Sequence, residues 1–181
     1  MLITVALRLI FLFLWVILLS PFQIIFRFIN VKYRYYLPVL FHKGALFILG
    51  VKVLVSGKVS ELRPLMLAGN HSSYLDILVL GSVAPVCFIA KSEISKWPLF
   101  GWLARLQDSV FIERKSVKTV TNMDAILENL SDQFSIVLFP EGTTSDGNKV
   151  LPFITKEFNS DLDSIDDFKY VQYKIGRKIK F

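Results

Sequence analysis

The sequence predicts an α/β domain tied to a membrane by N-terminal hydrophobic helices, and three observations lead there. Residues 9–26 contain no charge, and before them only Arg8 interrupts the apolar run. From residue 65 to 139, short β-type runs alternate with segments of helical periodicity, the pattern of strands joined by helical crossovers with substantial parallel pairing. With 181 residues, the chain has the size of one domain and can bury a useful core.

The elements follow in order. Eighteen helical residues at about 1.5 Å each reach roughly 27 Å, close to the ~30 Å hydrocarbon core, so residues 9–26 either barely span a bilayer or lie within one leaflet. Pro21 is expected to kink this helix or to end its first part. A secretory leader is the competing reading. Against it stand the length of the apolar stretch, the single charge before it and the lack of a small-x-small site after it. Arg27, Lys32 and Arg34 follow at once, which favours a cytoplasmic face for what comes next. Residues 35–50 are apolar but broken by Pro38, His42, Lys43 and Gly44, a second, shorter helix at the interface or packed on the first.

Val51, Val53 and Val55 alternate with polar or smaller residues and predict a strand, with Ser56-Gly57 as its turn. Residues 65–68 read as a strand, 74–81 as a helix and 86–90 as a buried strand. A helical stretch around 93–106 must be kinked or divided by Pro98. Residues 110–112 form another short strand. Val117, Val120, Met123, Leu127 and Leu130 recur at spacings of three and four, an amphipathic helix, and 135–139 follow as a strand. The organisation expected is an anchoring segment over 1–50, an α/β domain over 51–153 and a divergent charged tail over 154–181. That tail has an acidic block from Glu157 to Asp167 and a basic one from Lys169 to Lys180. It reads as solvated surface or partly disordered chain with no clear strand.

The net charge is +6 with a pI near 9.4. The early basic residues flank apolar segments rather than forming a stripe with interleaved aromatics, so an anionic membrane surface is the simpler partner and nucleic acid is not expected. Cys87 lies inside an apolar run and is the single cysteine. It forms no intrachain disulfide, and with two histidines in the chain no metal site is expected.

The chemistry concentrates in Asn70-His71-Ser72-Ser73-Tyr74-Leu75-Asp76. Five residues apart on one helix, the two side chains would sit about 140° round the axis and could not easily meet, since each residue turns ~100°. If His71 instead precedes the helix, Asp76 falls in the first turn and can face back toward the imidazole. Ser73-x-x-Asp76 also fits a capping box with Asp in place of Glu or Gln, and both readings can hold together. An imidazole with an ordinary pKa of ~6.5 can accept a proton at cellular pH. A carboxylate on Nδ1 fixes its tautomer and stabilises the imidazolium. On spacing alone, a buried or capping histidine remains the alternative.

Asn-His-x-x-x-x-Asp, then Phe111-Ile112-Glu113-Arg114, then Phe139-Pro140-Glu141-Gly142-Thr143 resembles the glycerolipid acyltransferase family of the lysophosphatidic acid acyltransferase type. The blocks stand in family order, with Ala90-Lys91-Ser92-Glu93 and Trp97-Pro98-Leu99-Phe100-Gly101 between them. The likeness covers roughly residues 1–153. It implies a membrane-anchored acyltransferase domain that moves a fatty acyl group from acyl-CoA or acyl-carrier protein to the free hydroxyl of 1-acyl-glycerol-3-phosphate. No metal or held cofactor is implied, the acyl carrier being a co-substrate. It also implies His71 as general base, Asp76 as its orienter and Arg114 on the acceptor's phosphate. Glu141, Gly142 and Thr143 would shape the acceptor site, Lys91 would meet the donor's phosphates, and backbone N–H groups near Gly142 are candidates for the oxyanion. The bland alternatives are a surface arginine, a simple turn after a strand and a solvated lysine.

Two departures open other readings. Many members acting on lysophosphatidic acid carry arginine where this chain has Thr144, and the Thr-Thr-Ser-Asp-Gly version resembles branches that acylate lyso-ornithine lipid. After Phe153 the family pattern stops, as it would in a shortened, inactive membrane-bound remnant with an exposed sheet edge.

Overall fold

The structure is a computed structural model, and it describes residues 2–58, 65–112, 135–139 and 141–145, with the backbone of 171–173. Helix α1 (Leu2–Phe28) and helix α2 (Tyr33–Leu49) form an antiparallel hairpin. Strand β1 (Leu65–Gly69), helix α3 (Leu75–Val83) and strand β2 (Val86–Lys91) follow. A 3-10 turn (Ser92–Lys96), helix α4 (Phe100–Leu106) and strands β3 (Val110–Ile112), β4 (Ser135–Leu138) and β5 (Val171–Tyr173) complete the described elements. The five strands form one sheet in the order β3-β2-β4-β1-β5, and every pairing is parallel. The fold class expected from the sequence is thus observed.

Helix α1 is long and apolar enough to cross a membrane. At about 1.5 Å per residue its 27 residues reach roughly 40 Å. Only 6% of its apolar window is buried against the rest of the chain, so it is not a core helix. Pro21, expected to kink the helix or end its first part, does not end it: the helix runs on to Phe28. The Pro38 of α2 is likewise helical. Helix α2 ends in a Schellman motif. Gly50 lies at φ +75°, its N–H donates to Phe47 O, and the N–H of Val51 reaches back to Leu46 O.

Two strand expectations need correction. Val51, Val53 and Val55 form no strand, and Leu54 and Val55 are exposed. An alternating run is held as a strand only if it pairs with another, and none of the five described strands pairs with residues 51–55. The charged tail, expected to lack strands, supplies β5, which covers the β1 edge. The amphipathic helix expected around residues 117–130 lies outside the described residues.

The core is apolar where the strand runs are apolar. Leu65, Leu67, Val86, Phe88 and Val137 pack on one face of the sheet with Ile77 and Leu80 of α3. Cys87 and Ile136 fill the other face. Cys87 is a small core residue whose thiol burial, reinforced by the nearby Asp108 charge, pushes up to about 12, leaving it unreactive.

Polar contacts fix the hairpin to the α/β domain at the turn after α4. Gln23 Nε2 donates to Arg34 O and Leu106 O, Arg27 donates to Arg105 O, and Arg27 and Arg34 both face Asp108, at 2.8 and 3.6 Å. Farther along α2, His42 Nε2 lies 3.0 Å from Gln107 Oε1, and Gln107 Nε2 donates to Val86 O. Gly81 of α3 lies directly beneath the His42 ring, leaving no room for a Cβ. Burial pushes the His42 imidazole from an ordinary 6.5 down to about 4, with the Gln107 bond opposing it in part.

His42 is therefore neutral in the fold, while an unfolded chain protonates it below pH 6.5. The unfolded state then binds more protons between 6.5 and about 4. Stability is complete above that window and falls as pH drops through it, by on the order of 3 kcal/mol at roughly 1.4 kcal/mol per pH unit. The thermal midpoint of the detergent-solubilised chain is expected to fall over this window. A His42→Gln variant, which keeps a donor for Gln107, should flatten the dependence; an equally steep fall in that variant would assign it to other groups.

Candidate active site

Because the sheet is parallel throughout, the carboxyl ends of all its strands share one edge, where α/β folds keep their crevice. Strands β1 and β4 are direct neighbours. The chain leaving β1 carries His71, and the chain leaving β4 carries residues 139–145. Adjacent parallel strands therefore bring two blocks, separated by almost seventy residues of sequence, to the same point.

His71 precedes α3 and Asp76 stands in its first turn, the arrangement under which the two can meet. His71 Nδ1 lies 3.0 Å from Asp76 Oδ2. The same oxygen accepts the backbone N–H of Ser72 at 2.6 Å and of Ser73 at 2.9 Å. The Asp76 contact to Ser73 N–H is the return half of a capping box. Ser73 Oγ accepts from Leu75 N rather than from Asp76 N, so the box is half formed. One carboxylate caps the helix and aligns the imidazole together.

Burial pushes the Asp76 carboxyl up, but the bonds from His71, Ser73 N–H and Ser72 N–H, with the imidazolium charge, outweigh it and hold it below its ordinary value. Asp76 is thus an anion at neutral pH. A carboxylate on Nδ1 keeps that nitrogen protonated and leaves Nε2 to accept a proton. The side chain of Asp76 is 4% exposed and that of His71 15%. The Asp76 carboxylate is shielded from water while the His71 imidazole is reachable.

Phe139 was not foreseen as part of the site. Its ring stacks on the His71 ring with centroids 4.2 Å apart and planes at 21°. Phe88 lies 6.5 Å beyond, nearly parallel to Phe139. These rings form a column across β2, β4 and β1 that backs the imidazole and fixes its plane. In the sequence Phe139 ends a strand and opens the Phe-Pro-Glu-Gly-Thr block, with no role of its own at the imidazole. Ser145 N–H donates to His71 O at 2.8 Å, tying the second block to the first.

The turn after β4 places the other expected residues. Gly142 sits at φ +63°, a region that favours glycine, and its N–H donates to Phe139 O at 2.9 Å. The N–H groups of Gly142 and Ser145 are both engaged within the protein, so among the candidates near Gly142 these two are not open to an oxyanion. Glu141 is buried, at 3% exposure, so its carboxyl faces the interior of the turn. Thr143 is exposed. Lys91 ends β2 and is exposed at the same sheet edge. Arg114 lies outside the described residues, two positions beyond the end of β3. Among the described residues no group of His, Cys, Asp and Glu could hold a metal ion.

Known proteins resemble this chain in sequence and in fold. A lyso-ornithine lipid O-acyltransferase from Rhizobium meliloti is 45% identical over 150 residues, 82% of this chain and 51% of the relative. A 1-acyl-sn-glycerol-3-phosphate acyltransferase from Neisseria gonorrhoeae is 37% identical over 125 residues, 67% of this chain and 49% of the relative. The chain spans about half the length of these sequence relatives. The crystal structure of the 1-acyl-sn-glycerophosphate acyltransferase from Thermotoga maritima superposes with a TM-score of 0.56 at 26% identity, covering 84% of this chain and 68% of that one. The sequence profile of the Acyltransferase family matches residues 51–160, and the chain belongs to that family.

Proposed function

We propose that this chain moves a fatty acyl group from acyl-CoA or acyl-carrier protein to the free hydroxyl of a lysolipid at a membrane, with 1-acyl-glycerol-3-phosphate as acceptor and phosphatidic acid as product. The observation that carries this reading is the His71–Asp76 pair at 3.0 Å on the carboxyl edge of the sheet. His71 Nε2 takes the acceptor's hydroxyl proton as that oxygen attacks the thioester carbonyl. The tetrahedral oxyanion collapses, the C–S bond breaks, and the imidazolium returns its proton to the departing thiolate. Asp76 remains an anion throughout and holds Nδ1–H. Such general-base assistance is typically worth ~10²–10⁴-fold.

Arg114 binds the acceptor's phosphate, where a guanidinium fork suits two oxygens, and Lys91 meets the donor's phosphates. Glu141 shapes the acceptor site from within its turn, and Thr143 borders it. Residues 1–50 anchor the catalytic domain of 51–153, with 154–181 as a tail. Arg27, Lys32 and Arg34, directly after the apolar run, support an active site facing the cytoplasm.

A specific observation favours a second acceptor. Thr144 stands where many members acting on lysophosphatidic acid carry arginine, and the Rhizobium relative named for lyso-ornithine lipid is 45% identical. Membranes containing the chain, given labelled acyl donor and a panel of lysolipids, decide between the two. Transfer to lysophosphatidic acid establishes the first reading, and transfer to lyso-ornithine lipid alone establishes the second. No transfer to any acceptor by folded protein would contradict both and leave an inactive remnant.

A further inference from the structure

The α1–α2 hairpin carries an open groove lined by none of the residues assigned to acyl transfer above. It encloses about 460 Å³ and is lined by Phe11, Leu14, Trp15, Leu18 and Phe47, with Arg8 at one end. Arg8 is the lone charge in the first 26 residues. A cation within an apolar helix is costly in hydrocarbon and ordinarily has a partner or a function. Here its Nη1 donates to Leu49 O at 3.0 Å, using one of the five donors of the guanidinium. Its fork lies over Gly50, where an added Cβ would come within 2.9 Å of Nη2. Lys52 is exposed two residues further on. A cation at the end of an apolar trough matches a phosphodiester and the chain attached to it.

The depth of this point is informative. The start of α2 is bonded to the turn after α4, which in turn meets Val86 at the amino end of β2. Helix α3 also ends beside that edge, so α2 and α3 run in opposite directions, with His42 packed on Gly81. From His42 to Leu49 is about 10 Å of helix, and from Gly81 back to Leu75 about 9 Å. Arg8, bonded to Leu49, therefore stands level with the start of α3 and with His71.

We propose that the groove holds one anionic diacyl phospholipid of the bilayer, its phosphate on Arg8 and one acyl chain along Leu14 and Leu18. This lipid fixes the depth of the hairpin and with it the height of the active-site edge. It is a resident lipid and not the acyl acceptor, so the proposal stands apart from the acyl-transfer reading. The test is native mass spectrometry of the full chain in maltoside detergent with equimolar phosphatidylglycerol and phosphatidylcholine. One retained lipid is expected, with phosphatidylglycerol favoured about fivefold, the scale of one cation meeting a net anionic headgroup, because phosphatidylcholine carries the same phosphate but offsets it with its choline cation. Arg8→Gln should erase the preference. Leu14→Trp, which fills the groove and leaves the charge, should reduce retention of both lipids. His71→Ala should behave as wild type. Equal retention of the two lipids by wild type, a preference surviving in Arg8→Gln, or undiminished retention in Leu14→Trp would overturn the proposal. Loss of the preference in His71→Ala would move the lipid to the active site and overturn it equally.

Discussion

Replacing Asp76 with asparagine is expected to lower the rate of acyl transfer by about 10²–10⁴-fold, the range that general-base assistance spans. The substitution keeps the size of the side chain and one oxygen for the N–H groups of Ser72 and Ser73. It removes the anion that holds Nδ1 protonated and stabilises the imidazolium. An asparagine NH₂ turned toward His71 would select the opposite tautomer, with the proton on Nε2 and no base left to face the acceptor. The fold should persist, because the lost charge at the start of α3, buried as it is, is worth up to about 2 kcal/mol. Initial rates at saturating donor, with circular dichroism as the control for folding, read both effects. A rate within about tenfold of wild type, below what general-base work contributes, would leave Asp76 as a helix cap alone.

Gly101→Ala is expected to be the most disruptive single methyl. Alanine ordinarily stabilises a helix position by about 1 kcal/mol over glycine. Here the added Cβ of α4 would run into Ser95 O and come within 2.7 Å of Ile94 O. Both obstacles are backbone atoms of the preceding 3-10 turn and cannot swing aside as a side chain can. The turn is also held by Arg105 Nη2 donating to Ser95 O and by Trp97 O accepting from Gly101 N. Forcing α4 away strains the turn that follows Lys91 and loosens the Leu106–Asp108 attachment of the hairpin. The net cost should be about 1–3 kcal/mol, read as a fall of roughly 2–12 °C in the thermal midpoint for a chain of this size. An unchanged or raised midpoint would show that α4 and the turn separate freely.

Much of this was legible because it rests on local pattern. The runs that became β1, β2 and β4 are apolar stretches of strand length, and buried parallel strands read that way. Pro98 divides the 3-10 turn from α4 as its missing N–H requires. The His71–Asp76 contact followed from the helical rotation per residue, since only a histidine outside the helix can reach an aspartate in its first turn.

What was illegible depends on partners remote in sequence. Val51, Val53 and Val55 have the alternation of a strand, but a strand needs a pairing partner, and none of the five described strands pairs with them. Val171–Tyr173 joins β1 from within a charged tail, across more than a hundred residues. Phe139 offers no sequence signal of stacking on His71, and the engagement of Gly142 N–H depends on how tightly its turn closes. The attachment of Gln23, Arg27, Arg34 and His42 to residues 105–108 likewise exists only once the hairpin has docked. Of the two effects expected of Pro21, a kink or an end, the end does not occur, since α1 continues to Phe28; flanking interactions allow proline within membrane-type helices.

The central claim is that His71, aligned by Asp76, takes the proton of the attacking hydroxyl. Its most direct test is the initial rate of acyl transfer by membranes carrying wild type or His71→Ala at equal protein content, with acyl-CoA or acyl-carrier protein as donor. The account predicts loss of transfer in the variant by at least ~10²-fold, with membrane association unchanged. Transfer at the wild-type rate by a folded, membrane-bound His71→Ala chain would contradict it.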